Sequence, residues 1–190
     1  MKQFKIEVEG STPLIWNRMK PELMEIMSNA KKSELDELEK KNWKMKAEIK
    51  NKKLIIPPEW IMGAIINAAK QTKVIPHFAT SKNQTYTKYL SSTRVECNGS
   101  KYIIAGKESD LTRKFGYYNS RGAMGGGKIA KYHPMLENWK ATFIFTDPVG
   151  RLEKKELQEI IEWAGSVVGI GDQRKTGFGR FKIKTINEVN

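Results

Sequence analysis

A glycine-rich segment near the end of the chain constrains it most. Gly169-Ile170-Gly171-Asp172-Gln173-Arg174-Lys175-Thr176-Gly177-Phe178-Gly179 reads glycine, apolar, glycine, five mostly polar residues, then glycine, apolar, glycine. Leu157, Ile160, Ile161, Ala164, Val167 and Val168 form one apolar stripe ahead of it, which predicts a helix over 153–168. Alternation from Arg180 to Ile186 predicts a strand behind it. Glycines at this density open backbone conformations closed to other residues and let a second group come close. The two cations between the glycines, Arg174 and Lys175, suggest that the second group is anionic. Taken alone, the segment also fits a helix C-cap at Gly169 followed by a turn, which accounts for one glycine but not all four. A Walker-type phosphate loop is excluded, because that loop precedes its helix and carries Gly-Lys-Ser/Thr.

Upstream, Phe4, Ile6 and Val8 alternate with Lys5, Glu7 and Glu9 as in a half-buried strand. Residues 17–51 read as a helical insertion. It holds a Met-rich helix over 20–29 and a second helix opened by Ser33 and Asp36 as a capping box. Leu35, Leu38, Asn42, Met45 and Ile49 form the seam of that second helix, and Lys and Glu occupy its other faces. Leu54-Ile55-Ile56 predicts a short strand, and Pro57-Pro58 opens a buried helix from Glu59 to Gln71. Thr93–Cys97, the turn Asn98-Gly99 and Lys101–Ala105 read as a hairpin. Trp139–Thr146 is a clear strand. With the insertion removed, the order is βαββαβ. That makes a single α+β domain over 1–190, ferredoxin-like and RRM-like, with two helices on one face of an antiparallel sheet.

Charge is spread unevenly. The chain carries 34 Lys and Arg against 21 Asp and Glu, a net +13, which favours polyanionic partners. Trp60–Val95 has no acidic residue but has Lys70, Lys73, Lys82, Lys88 and Arg94, with Phe78, Tyr86 and Tyr89 among them. Leu111–Leu136 is also free of acids. There Arg113, Lys114, Arg121, Lys128 and Lys131 interleave with Phe115, Tyr117, Tyr118, Tyr132 and several glycines. Residues 106–136 are therefore expected to form a flexible basic loop or an extended hairpin. Cations with aromatic faces suit a single strand of nucleic acid, each stacked base contributing about 1–3 kcal/mol. The competing reading is that the aromatics are core and the lysines a solvated rim.

The pattern G-h-G-x5-G-h-G between the last helix and last strand resembles that of the RAMP superfamily (repeat-associated mysterious proteins), which builds RNA-binding subunits of CRISPR effector complexes. Gly169, Gly171, Gly177 and Gly179 match in register. Thr-Pro-Leu-Ile-Trp-Asn-Arg after the first strand and the C-terminal glycine segment also resemble uncharacterised phage-encoded proteins. The resemblance implies a single strand bound across the open sheet and the glycine loop, with subunits polymerising along it and a hairpin reaching the next subunit. It departs from the family after the first strand, where the usual glycine-rich segment is replaced by the helical insertion.

The expected function is thus non-catalytic binding of single-stranded nucleic acid, RNA ahead of DNA, with self-association along the strand. The expected partners are a CRISPR complex or a phage replication or recombination complex. The expected contacts are Lys82, Lys88, Arg94, Arg113, Lys114, Tyr117, Tyr118, Arg121, Lys128, Lys131, Gly171, Arg174, Lys175, Gly177, Gly179 and Arg180. One alternative is a metal-independent endoribonuclease, for which His77 and His133 are the only histidine bases; each adjoins a proline with no evident partner. Another is a protein-interaction module acting on a CRISPR complex through 17–51. No cofactor is expected. No metal site is expected either, since Cys97 is the single cysteine and no acidic spacing completes a zinc site. The first residues lack the apolar run of a signal peptide, so the expectation is a cytoplasmic protein with no membrane partner.

Overall fold

The computed structural model describes residues 1–72, 89–90, 92–119 and 128–189. Its main sheet has four antiparallel strands in the order β10-β1-β9-β5. These are β1 (Lys2–Gly10), β5 (Arg94–Cys97), β9 (Lys140–Asp147) and β10 (Phe181–Val189). Helix α3 (Pro58–Thr72) lies in the chain between β1 and β5, and α4 (Lys154–Trp163) lies between β9 and β10. This arrangement is compatible with a ferredoxin-like core.

Strand alternation decides which face is covered. Phe4, Ile6 and Val8 of β1 and Ala141, Phe143 and Phe145 of β9 point to one face and are buried. They join Ile61, Ala64, Ile65, Ala68 and Ala69 of α3 and Leu157, Ile160 and Ile161 of α4 in one core. The α4 helix then widens by one turn over Ala164–Val168, where Gly169 turns the chain at φ +72°.

The insertion contains α1 (Pro21–Ser28) and α2 (Leu35–Asn42), followed by a tight turn over Trp43–Lys46. The start of the second helix differs from the Ser33–Asp36 box: Glu34 accepts the Lys31 backbone N–H at 3.0 Å. Two smaller sheets complete the fold. In one, β2 (Leu14–Ile15), β8 (Lys128–Leu136) and β7 (Thr112–Asn119) pair in that order; in the other, β3 (Ile49–Lys50), β4 (Lys53–Ile56) and β6 (Ile103–Lys107) do.

The expected hairpin across Asn98-Gly99 does not form, although the turn does, with Gly99 at φ +65°. Its two strands part. Val95 of β5 aligns with Phe145 on β9, and Ile103 of β6 with Ile56 on β4. Each strand finds a buried apolar partner in its own sheet, and those partners outweigh pairing across the turn.

Between loop and extended hairpin for 106–136, the described residues take the hairpin. Strands β7 and β8 pair from Thr112↔Met135 to Asn119↔Lys128.

Candidate nucleic-acid interface

The glycine segment folds back on its own chain. Ile170 donates its N–H to the Gly179 carbonyl at 2.9 Å, and Gly179 donates to the Pro13 carbonyl at 2.8 Å. Asp172 donates its N–H to the Ile15 carbonyl at 2.9 Å. The Thr12 hydroxyl donates to the Gly177 carbonyl and accepts the Arg180 N–H, at 2.9 and 2.8 Å. All four glycines have positive φ. A Cβ on Gly179 would stand 1.8 Å from the Ile170 carbonyl oxygen, and one on Gly171 would stand 2.7 Å from the Ile15 carbonyl oxygen. Close approach is therefore required at Gly179, Gly171 and Gly169 by the protein's own backbone. Gly177 has open space around it. Gly179 is buried and shapes the loop; it offers no surface to a ligand.

Between Gly171 and Gly177 the loop carries Gln173, at φ +55°, and the exposed Arg174 and Lys175. The Arg180 guanidinium donates to the Arg174 carbonyl at 3.1 Å and closes the turn. The tip is therefore a fixed, cation-bearing corner.

The β7–β8 hairpin meets this corner through Lys114. Its ammonium donates to the Gln173 side-chain carbonyl at 2.5 Å and sits 4.1 Å from the centroid of the Phe178 ring. Burial lowers the Lys114 pKa, while the Asp172 charge acts in the opposite direction. On the other face of β7, Phe115 is 46% exposed and lies 4.9 Å from the Tyr132 ring at a 39° tilt. The Arg113 guanidinium stands 4.9 Å from the same Tyr132 ring. A cation and two rings thus share one accessible hairpin face, the arrangement that stacks bases and holds phosphates.

The hairpin is fastened to the insertion from behind. Buried Lys46 is ion-paired with buried Glu39 and donates to the Tyr132 carbonyl at 3.0 Å. His133, cross-strand from Lys114, is 1% exposed. Burial, and then the Lys46 charge, lower its pKa to about 4. It lies in β8, and such depth removes it from any substrate on the surface.

A cleft of about 470 Å³ opens on the other side of the glycine loop, lined by Asn17, Arg18, Met19, Glu59, Trp60, Gly171 and Asp172. Sequence reasoning missed it because its walls come from three distant segments. The resemblance to the Thr-Pro-Leu-Ile-Trp-Asn-Arg run was the one available signal.

Of the expected contacts, the structure joins Lys114 of the hairpin to the loop that carries Gly171, Arg174, Lys175, Gly177 and Arg180, whereas Arg113 lies on the opposite face of β7 and Lys131 on β8. Tyr117, Tyr118 and Lys128 lie on the same two strands. Arg94 does not join them: it sits on β5 beside Gln3, Glu96 and Thr146. His77, Lys82, Lys88 and Arg121 fall outside the described residues. The sheet face opposite the helices also departs from expectation. It carries Gln3, Lys5, Glu7 and Glu9 on β1, with Thr142 and Ile144 on β9 and Arg94 and Glu96 on β5. Lys5 pairs with Glu7 at 3.5 Å, and Glu9 with Lys184 at 2.5 Å. Among the described residues of β1, β9 and β5, that face carries three carboxylates, Glu7, Glu9 and Glu96, and no aromatic ring.

No protein-family model and no curated protein matches this sequence. Among solved structures, the fold is similar to a chain in the cryo-EM structure of the Type III-B Cmr-beta bound to cognate target RNA. The TM-score is 0.58 at 9% identity, covering 100% of this chain and 61% of that one. The crystal structure of Cmr6 from Pyrococcus furiosus is a more distant match, with a TM-score of 0.45 at 9% identity, covering 95% of this chain and 97% of that one. The fold class is α+β with antiparallel sheets, compatible with a ferredoxin-like arrangement. This chain spans 61% of the length of the Cmr-beta chain.

Proposed function

We propose that this protein is a non-catalytic binder of single-stranded nucleic acid, with RNA favoured over DNA, and that it acts as a RAMP-type subunit of a CRISPR-related assembly. The observation that carries the reading is the hairpin face where exposed Phe115, Tyr132 and Arg113 lie within stacking distance. Beside it, Lys114 joins the hairpin to a loop tip carrying Arg174 and Lys175. Two further points support it. With insertions set aside, β1, α3, β5, β9, α4 and β10 follow a βαββαβ order. The Cmr-beta structure that this fold resembles contains target RNA. In the proposed assembly, copies of the chain line up along the strand and each hairpin reaches toward its neighbour.

The test is fluorescence anisotropy with labelled single-stranded RNA and DNA of equal sequence, across a salt series. Affinity for RNA falls steeply as salt rises, with a log–log slope of about −0.7 per neutralised phosphate. Arg113→Gln flattens that slope by about 0.7. Phe115→Ala instead weakens binding by about 1–3 kcal/mol with the slope unchanged. A response indifferent to salt, or no binding, overturns the proposal. Metal-independent shortening of the RNA during incubation would favour the endoribonuclease instead.

A further inference from the structure

The cleft beside the glycine loop has a chemistry opposite to the rest of the molecule. In a chain of net charge +13, two carboxylates, Glu59 and Asp172, line it among the described residues, with one cation, Arg18. That cation already faces Glu48, Nη1 to Oε2 at 3.5 Å. Such a hollow repels a phosphate group. It offers acceptors for N–H donors, the Asn17 amide, and two apolar walls, Trp60 and the 45% exposed Met19. An indole and a thioether suit a flat, polarizable ring.

The walls are pre-set. Trp16 donates its N–H to the Pro134 carbonyl of β8 at 3.1 Å and Arg18 donates to the Lys46 carbonyl of the insertion at 3.1 Å, which pins residues 16–18 at both ends. Asp172 is tied to Ile15, and a Cβ on Gly171 would stand 2.7 Å from the same carbonyl and 3.5 Å from the Trp60 ring. A volume of about 470 Å³ is in the range of a small-molecule pocket. Through Asp172 it adjoins the Lys114 contact, on the side of β7 opposite Phe115, so a strand stacked on the hairpin reaches it by crossing the Arg174–Lys175 tip.

We propose that this cleft is a base-reading pocket that accepts one unstacked guanine of the bound strand. Guanine fits because its N1–H and N2–H2 are adjacent donors that one carboxylate can accept together. Uracil and cytosine present smaller rings, and adenine presents an acceptor at N1 that meets a carboxylate unfavourably. The pocket rests on the reading of the protein as a single-strand binder, and it adds a sequence preference that the phosphate and stacking contacts do not supply.

The experiment compares oligouridine RNA of about twelve nucleotides with the same strand carrying one central guanine, adenine or cytosine. The guanine strand is expected to bind about tenfold more tightly than the others. Glu59→Gln and Met19→Ala bring that ratio toward one, and Asp172→Asn moves the preference toward adenine, whose donor–acceptor edge matches a carboxamide. Thermal melts of each variant report folding separately. Equal affinity for all four strands overturns the pocket while leaving single-strand binding intact. A guanine preference that survives all three substitutions overturns it as well. Failure of every strand to bind removes the underlying reading along with the pocket.

Discussion

Gly179 and Gly177 look equivalent in the sequence and are not equivalent in space. A methyl group on Gly179 would collide with the Ile170 carbonyl at φ +70°, whereas one on Gly177 would meet nothing within 4 Å and bear only the strain of φ +91°. Gly177→Ala is therefore expected to cost about 1–2 kcal/mol, and Gly179→Ala distinctly more, with loss of the loop's ties to Pro13 and Ile170. Urea denaturation of the two variants checks the difference; equal costs would contradict the packing described. The spacing of the glycines was legible in the sequence, and so was the loop. Its reason was not, because Thr12, Pro13 and Ile15, which the loop grips, stand more than 150 positions away in the chain. Lys114 was legible as a cation, but its contact with Gln173 and Phe178 required the folded hairpin.

At the scale of elements, the insertion shows where charge patterning misleads. The seam through Leu35, Leu38, Asn42, Met45 and Ile49 found α2 but overran it, since α2 ends at Asn42, Met45 falls in the turn that follows and Ile49 in β3; Lys and Glu filled the other faces in that reading. Glu39 and Lys46 belong to those faces in sequence, yet β8 covers them and makes them a buried pair. Replacing Lys46 with Met alone strands a buried carboxylate and is expected to cost about 3–5 kcal/mol. Combining it with Glu39→Leu recovers most of that loss, since an apolar pair of similar volume packs without desolvating charge. Thermal melts of the single and double variants decide the matter: a double variant as unstable as the single would show that the pair itself is needed to seat the hairpin. The parted strands β5 and β6 carry the same lesson. A local turn signal was correct, and long-range partners determined what the strands did after it.

For the whole molecule, the clearest prediction concerns acid. His133 titrates near 4 in the fold against an ordinary 6.5, because burial and Lys46 disfavour its cation. The unfolded chain therefore takes up this proton first, and stability falls as pH drops from about 6.5 to about 4, by roughly 3 kcal/mol in all. Asp147 acts lower. Burial raises its pKa, but the Tyr89 hydroxyl and the N–H groups of Leu152, Gly150 and Val149 outweigh that and lower it from 3.8. Its contribution is present above 3.8 and is lost only as pH falls through its lowered pKa. Denaturation midpoints measured from pH 7 to 4 are expected to slope for the native protein and to flatten with His133→Gln. The α+β class was legible at this scale, since helix and strand periods are local. The distribution of charge over the sheet was not, because alternation places Glu7, Glu9 and Glu96 together only once β1, β9 and β5 align.

The pairing of β1 also has a consequence in time. Both its neighbours come from the last third of the chain, Lys140–Asp147 and Phe181–Val189, with Gln3 opposite Val189. Until residues 140–147 have been made, the first strand lacks both of its sheet neighbours, and its Phe4-Ile6-Val8 face must wait. Such late closure makes for slow folding and a long exposure of greasy surface during synthesis.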